Sequence, residues 1–112
     1  MSFYARFSAS GALASLEKLF LSANGIGDEG MSALAKAITP DKDGKGALAQ
    51  CTYLSVSGNT IGDAGMSALA SACASGALAP GATVYLGANS ATETGKQAMR
   101  DAAKARGLSV FV

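Results

Sequence analysis

From Leu16 onward the apolar positions change period within each stretch and then repeat the change. Leu19 and Leu21 alternate with Lys18, Phe20 and Ser22, the two-residue period of a strand, whereas Gly30, Leu34 and Ile38 fall on one face of a helix. Leu16, Leu19, Leu21 and Asn24 return thirty-five positions later as Cys51, Leu54, Val56 and Asn59, and thirty further on as Gly81, Val84, Leu86 and Asn89. The block from Asn24 to Ala35 is almost identical to that from Asn59 to Ala70. Each unit opens on the same lead-in, at Gly11-Ala12-Leu13-Ala14, Gly46-Ala47-Leu48-Ala49 and Gly76-Ala77-Leu78-Ala79. Leu108-Ser109-Val110 aligns with Leu54-Ser55-Val56 and is predicted to be the last strand.

Strand followed by helix, repeated, predicts a parallel sheet of about four strands with helices along one side. Leu19, Leu21, Leu54, Val56, Val84, Leu86, Leu108 and Val110 should point inward, toward Leu34, Ile38, Leu69, Cys73, Met99 and Ala103 on the helices. One unit cannot bury both sides of that seam, so stability should come mainly from contacts between neighbours. Asp28 and Asp63 stand at the starts of their predicted helices, where a carboxylate can accept unpaired backbone N–H groups. Gly30 and Gly65 recur in the first helical turn although Gly costs about 1 kcal/mol there relative to Ala. A close approach of helix to sheet is the expected reason.

The spacing L-x-x-L-x-L-x-x-N, followed by N-x-I-G-D-x-G and Met-Ser-Ala-Leu-Ala, resembles the leucine-rich repeat, and its long unit with a full helix is similar to the ribonuclease-inhibitor-like subfamily. The resemblance implies an α/β solenoid, a short horseshoe arc of about three and a half units over residues 11–112, with the helices on the convex side. Residues 1–10 form a separate N-terminal segment, whose Phe3, Tyr4 and Phe7 are expected to serve as an improvised cap. Family membership further implies that Asn24, Asn59 and Asn89 form a buried ladder satisfying loop backbone groups. In the third unit Ser90 to Lys96 replaces the Thr-Ile-Gly-Asp-Ala-Gly-Met run, as expected of a degenerate terminal repeat.

Composition narrows the chemistry. Nine Lys and Arg against eight Asp and Glu give a net charge of +1, which offers no electrostatic reason for nucleic acid or an anionic membrane as partner. No apolar stretch approaches a membrane span and no secretory signal is evident, so a cytoplasmic protein is expected. Cys51 and Cys73 occupy the repeat positions of Leu16 and Ile38 and read as buried, reduced side chains. The chain has no His, which removes Ser-His-Asp and Cys-His catalysis. Asp41-Lys42-Asp43-Gly44-Lys45-Gly46 opens like a calcium loop but has Lys45 at a ligand position and Thr52 where a bidentate Glu is needed. It reads instead as an exposed insertion, residues 39–45, that accounts for the difference between the two spacings. Gly25-Ile26-Gly27-Asp28-Glu29-Gly30 satisfies a dinucleotide-binding spacing, yet the related Gly58 to Gly65 run does not keep it. Neither an enzyme, a metal site nor a cofactor is expected.

The outward side of the sheet remains. Every aromatic residue after Phe7 falls on it: Phe20, Tyr53, Tyr85 and Phe111. Tyr and Trp are common interface anchors, whereas adjacent strands can also use such rings to cover one another. The expected contact residues are Lys18, Phe20, Tyr53, Ser55, Thr83, Tyr85 and Phe111, binding a protein or peptide by the concave face. The alternatives are a regulator of an enzyme, as inhibitor or GTPase activator, and a scaffold fragment of a longer repeat protein. Open edges on the terminal strands would also allow self-association.

Overall fold

The computed structural model describes residues 16–42 and 46–112. The N-terminal segment and its suggested cap therefore lie outside the described residues, as does the centre of the insertion. Strands β1 (Lys18–Phe20), β2 (Tyr53–Ser55), β3 (Thr83–Tyr85) and β4 (Ser109–Phe111) alternate with helices α1 (Asp28–Ile38), α2 (Asp63–Ala74) and α3 (Glu93–Arg106). The strands form one parallel sheet in the order β1-β2-β3-β4, with Leu19, Leu54, Val84 and Val110 in register. Sequential parallel neighbours joined by helices give the one-sided, short arc that the repeats predict.

Core formation follows the inward positions closely. Leu54, Val56 and Val84 are fully buried against Leu34, Ile38, Leu69, Cys73 and Met99. At the two ends Leu19, Leu108 and Val110 are only partly covered, because each lies on or beside a strand with a neighbour on one side. Met31 and Met66, from the repeated Met-Ser-Ala-Leu-Ala block, are also buried and lie one helical turn before Leu34 and Leu69. Both cysteines are buried and free; burial raises the Cys51 thiol pKa and pushes that of Cys73 up to about 12.

Strands β1, β2 and β3 each lead into a loop that turns on a left-handed residue at the same repeat position: Ala23 (φ 56°), Gly58 (φ 72°) and Ala88 (φ 57°). The following Asn holds that turn. Asn59 Oδ1 accepts from the Asn24 and Ile26 N–H groups at 2.9 and 3.0 Å, and its Nδ2 donates to the Leu21 and Val56 carbonyls at 3.0 and 2.8 Å. Asn89 repeats the pattern one unit on, accepting from Ile61 N–H at 3.0 Å and donating to Val56 and Leu86 carbonyls. Thus each Asn closes its own turn and ties down that of the preceding unit. Asn24 is exposed and donates to its own Ser22 carbonyl.

A second cross-unit tie corrects the expectation for the aspartates. Asp28 does not cap its own helix: its Oδ1 accepts from Gly62 and Gly65 N–H at 2.7 and 2.8 Å, the first turn of α2. Asp63 does the same for α3, accepting from Thr92 and Gly95 N–H at 2.8 and 3.1 Å and from the Thr92 hydroxyl at 2.6 Å. Gly65, and Gly95 one unit on, receive a different reason at the same stroke, whereas a Cβ at Gly30 would meet only Ile26 Cγ2, at 3.3 Å. A Cβ at Gly65 would stand 2.7 Å from Asp28 Oδ1, and one at Gly95 would stand 2.5 Å from Asp63 Oδ1. Glycine therefore makes room for the carboxylate of the preceding helix rather than for the sheet.

Candidate functional site

The concave face is built from side chains that alternate with the core set along β1 to β4. Strand register places Lys18, Tyr53, Thr83 and Ser109 in one row and Phe20, Ser55, Tyr85 and Phe111 in the next. The aromatics nevertheless form a single line. Ring centroids are 5.1 Å apart from Phe20 to Tyr53, 5.1 Å from Tyr53 to Tyr85 and 4.9 Å from Tyr85 to Phe111. Tyr53 leaves its own row to lie between Phe20 and Tyr85, the residues flanking Ser55 in the neighbouring row.

That lean accounts for the one expected contact residue that is not available. Ser55 is 6% exposed, covered from the concave side, and its Oγ is 2.7 Å from that of Ser22. The small serine provides the space that the Tyr53 ring fills. The other expected residues stay accessible: Lys18 is exposed, Thr83, Tyr53 and Tyr85 are half-buried, and Phe20 and Phe111 are 62% and 53% exposed. These two phenylalanines are the exposed large hydrophobics of the described residues, and they terminate the aromatic line. Mutual ring cover and exposure thus coexist: stacked pairs are worth about 0.5–1.5 kcal/mol each, while the outer faces remain open.

What this face can do is noncovalent. Its groups are rings, hydroxyls and one ammonium, and the sheet's backbone groups between strands are already paired, so recognition has to go through side chains. Among the described residues no group of three or more His, Cys, Asp or Glu side chains is placed to hold a metal ion. No helix among them is long and apolar enough to cross a membrane.

The repeat spacing, the parallel strand-per-unit sheet and the two asparagine ties coincide with a match to the family model described as leucine-rich repeat, over residues 12–35 and 52–70. Those two stretches are similar to leucine-rich repeats. Among the described residues, four parallel strands and three helices form a short α/β leucine-rich-repeat arc. A search of curated proteins returned no match to it. Leucine-rich-repeat domains generally mediate protein–protein interaction and are typically not enzymes.

Proposed function

We propose that this leucine-rich-repeat arc, of the ribonuclease-inhibitor-like kind, binds a protein or peptide through its concave sheet, with Phe20, Tyr53, Tyr85 and Phe111 as anchors. The observation that carries the reading is the continuous line of four rings whose two ends stand open to solvent. Lys18, Thr83 and the serines at the margin supply polar contacts; Ser55 supports the Tyr53 ring from beneath. Rings held by their neighbours lose little rotamer freedom on binding, which favours them as anchors.

The test is selection of ligands from a displayed peptide library on the immobilised protein, followed by titration against the double variant Tyr53→Ala, Tyr85→Ala. Loss of two anchors should weaken binding by at least about 30-fold, with the helical circular dichroism unchanged. Ligands that bind both proteins equally would remove the concave face from consideration.

A second reading, as one part of a longer repeat array, is favoured by the first unit. Among the described residues, the Gly27 and Gly30 N–H groups of α1 lack the carboxylate that Gly62 and Gly65 receive, and β1 pairs on one side only. Placing a copy of residues 16–50 ahead of Leu16 tests it. If the Asp of the added unit raises the melting temperature and its change to Asn removes the gain, α1 accepts a preceding unit; no difference between the two speaks against the array.

A further inference from the structure

Aligning the three helices shows what each presents to the unit that follows. Met31 and Met66 pack against the next helix: a Cβ at Gly65 would lie 3.2 Å from Met31 Cβ, and one at Gly95 would lie 3.1 Å from Met66 Cβ. One helical turn on, Ala35 and Ala70 are buried as well, Ala70 beside Ala102 of α3. At the same two repeat positions α3 carries Lys96, half-buried, and Arg100, exposed. Glu93, the counterpart of Asp28 and Asp63, meets Arg100 Nη1 of its own helix at 3.1 Å instead of reaching forward.

The sheet is open at the same end. Ser109 N–H donates to the Ala82 carbonyl at 2.9 Å and the Phe111 carbonyl accepts from Leu86 N–H at 2.7 Å, so these two residues of β4 serve β3. In the interior strand β2 the alternate residues supply the forward bonds: the Thr52 carbonyl accepts from Thr83 N–H and Val56 N–H donates to the Tyr85 carbonyl, each at 2.9 Å. Register places Leu108, Val110 and Val112 at the positions of Thr52, Leu54 and Val56. The Leu108 and Val110 carbonyls and the Val110 and Val112 N–H groups therefore face outward with no strand beside them. An edge of that kind accepts an extended chain through its backbone.

Charge decides what that chain can be. A second copy stacked end to end would lay the Gly30 side of its α1 over Lys96 and Arg100, taking two cations out of water without partners. A strand that carries acids and brings no helix avoids that cost. Among the described residues neither Lys96 nor Lys104 has an ion pair, and the exposed Arg100–Glu93 pair is of the weak kind that an incoming carboxylate can displace. We propose that this end of the arc docks an extended acidic peptide segment as a fifth strand on β4. Its backbone bonds to Leu108, Val110 and Val112, and its carboxylates, on the helix side, meet Lys96 and Arg100. The site is separate from the concave anchors, so Tyr53 and Tyr85 take no part.

The probes are acetyl-Glu-Val-Glu-Val-Glu-amide, its counterpart with Gln for every Glu, and the Glu peptide N-methylated at both valines, whose N–H groups would face β4 as those of Ser109 and Phe111 face β3. Each is titrated against the full chain by NMR. The Glu peptide should shift the Val110 and Val112 amides and bind at least about tenfold more tightly than the Gln peptide at low salt, the gap closing as salt is added. N-methylation should weaken binding by at least about tenfold. The double variant Lys96→Gln, Arg100→Gln should bind the Glu and Gln peptides alike, whereas Tyr53→Ala, Tyr85→Ala should bind both as the unaltered protein does. Equal binding of the Glu and Gln peptides by the unaltered protein, indifference to N-methylation, or shifts confined to the aromatic line overturn the assignment. So does sedimentation of the peptide-free protein as end-to-end oligomers, since a second copy would then occupy the edge. The peptide comparisons on the unaltered protein hold even where the double variant fails to fold.

Discussion

Asn59 shows what one polar side chain does inside a repeat. It is 5% exposed, and its amide serves Asn24 N–H, Ile26 N–H and the Leu21 and Val56 carbonyls; Val56 keeps the bond from Asn89, so removing Asn59 leaves the other three backbone groups to be resolvated or left unpaired. At about 1–3 kcal/mol for each unsatisfied buried group, Asn59→Ala should destabilise by at least about 3 kcal/mol in urea unfolding. Asn24→Ala removes one exposed bond and should cost less than about 1 kcal/mol. Identical letters at one repeat position thus differ several-fold in effect, because only one has a unit on each side. Asp63 adds a dependence on acidity. The Thr92 hydroxyl first, then the Thr92 N–H, hold its pKa below the ordinary carboxylate value against a weaker opposing effect of desolvation, with the Gly95 N–H adding least. A carboxylate depressed in the folded state contributes stability that is present above the unfolded pKa and lost as pH falls through the folded one. The melting temperature should therefore decline on acidification below the usual carboxylate range, and Asp63→Asn should flatten part of that decline. An identical acid limb in the variant would mean that other carboxylates set it.

Helix starts are where sequence and structure part company. The strands, the helices and the inward set were legible because they rest on local period, which one unit displays by itself. The acceptor that caps α2 and α3 was not, since the carboxylate and the N–H groups that donate to it are 34 and 37 residues apart for Asp28, and 29 and 32 for Asp63. Local rules assign a carboxylate to the nearest helix end; the stack hands it to the next. The concave aromatics were legible as a face, but the Tyr53 lean over Ser55 was not, because it depends on which ring reaches across rows. Glycine substitution separates the two explanations of the first turn. Gly65→Ala places a methyl against Asp28 Oδ1 and Ile61 Cγ2, both at 2.7 Å, and should destabilise by about 1–3 kcal/mol. Gly30→Ala meets only Ile26 Cγ2, at 3.3 Å, and should be neutral or stabilising by up to about 1 kcal/mol through helix propensity. Equal destabilisation of both would return the glycine to a helix–sheet role.

For the molecule as a whole, the ties between units predict an uneven distribution of stability. β2 and β3 have partners on both sides and α2 receives Asp28, whereas β1 pairs once and α1 has no carboxylate from a preceding helix among the described residues. Native-state hydrogen exchange should therefore show amides of β1 and α1 opening at lower free energy than those of β2 and α2. Uniform protection would instead indicate a single cooperative block.

Because Asp28 and Asp63 each reach forward to the helix start of the following unit, the arc behaves like tiling with a tongue on one side and a slot on the other. Excising residues 28–62 would join Gly27 to Asp63 and leave that carboxylate still seated on Thr92 and Gly95. Excising a length that is not a whole period would instead set an acid against a side chain and not a slot. A lineage built this way can lengthen or shorten by whole periods through recombination without inventing a new joint.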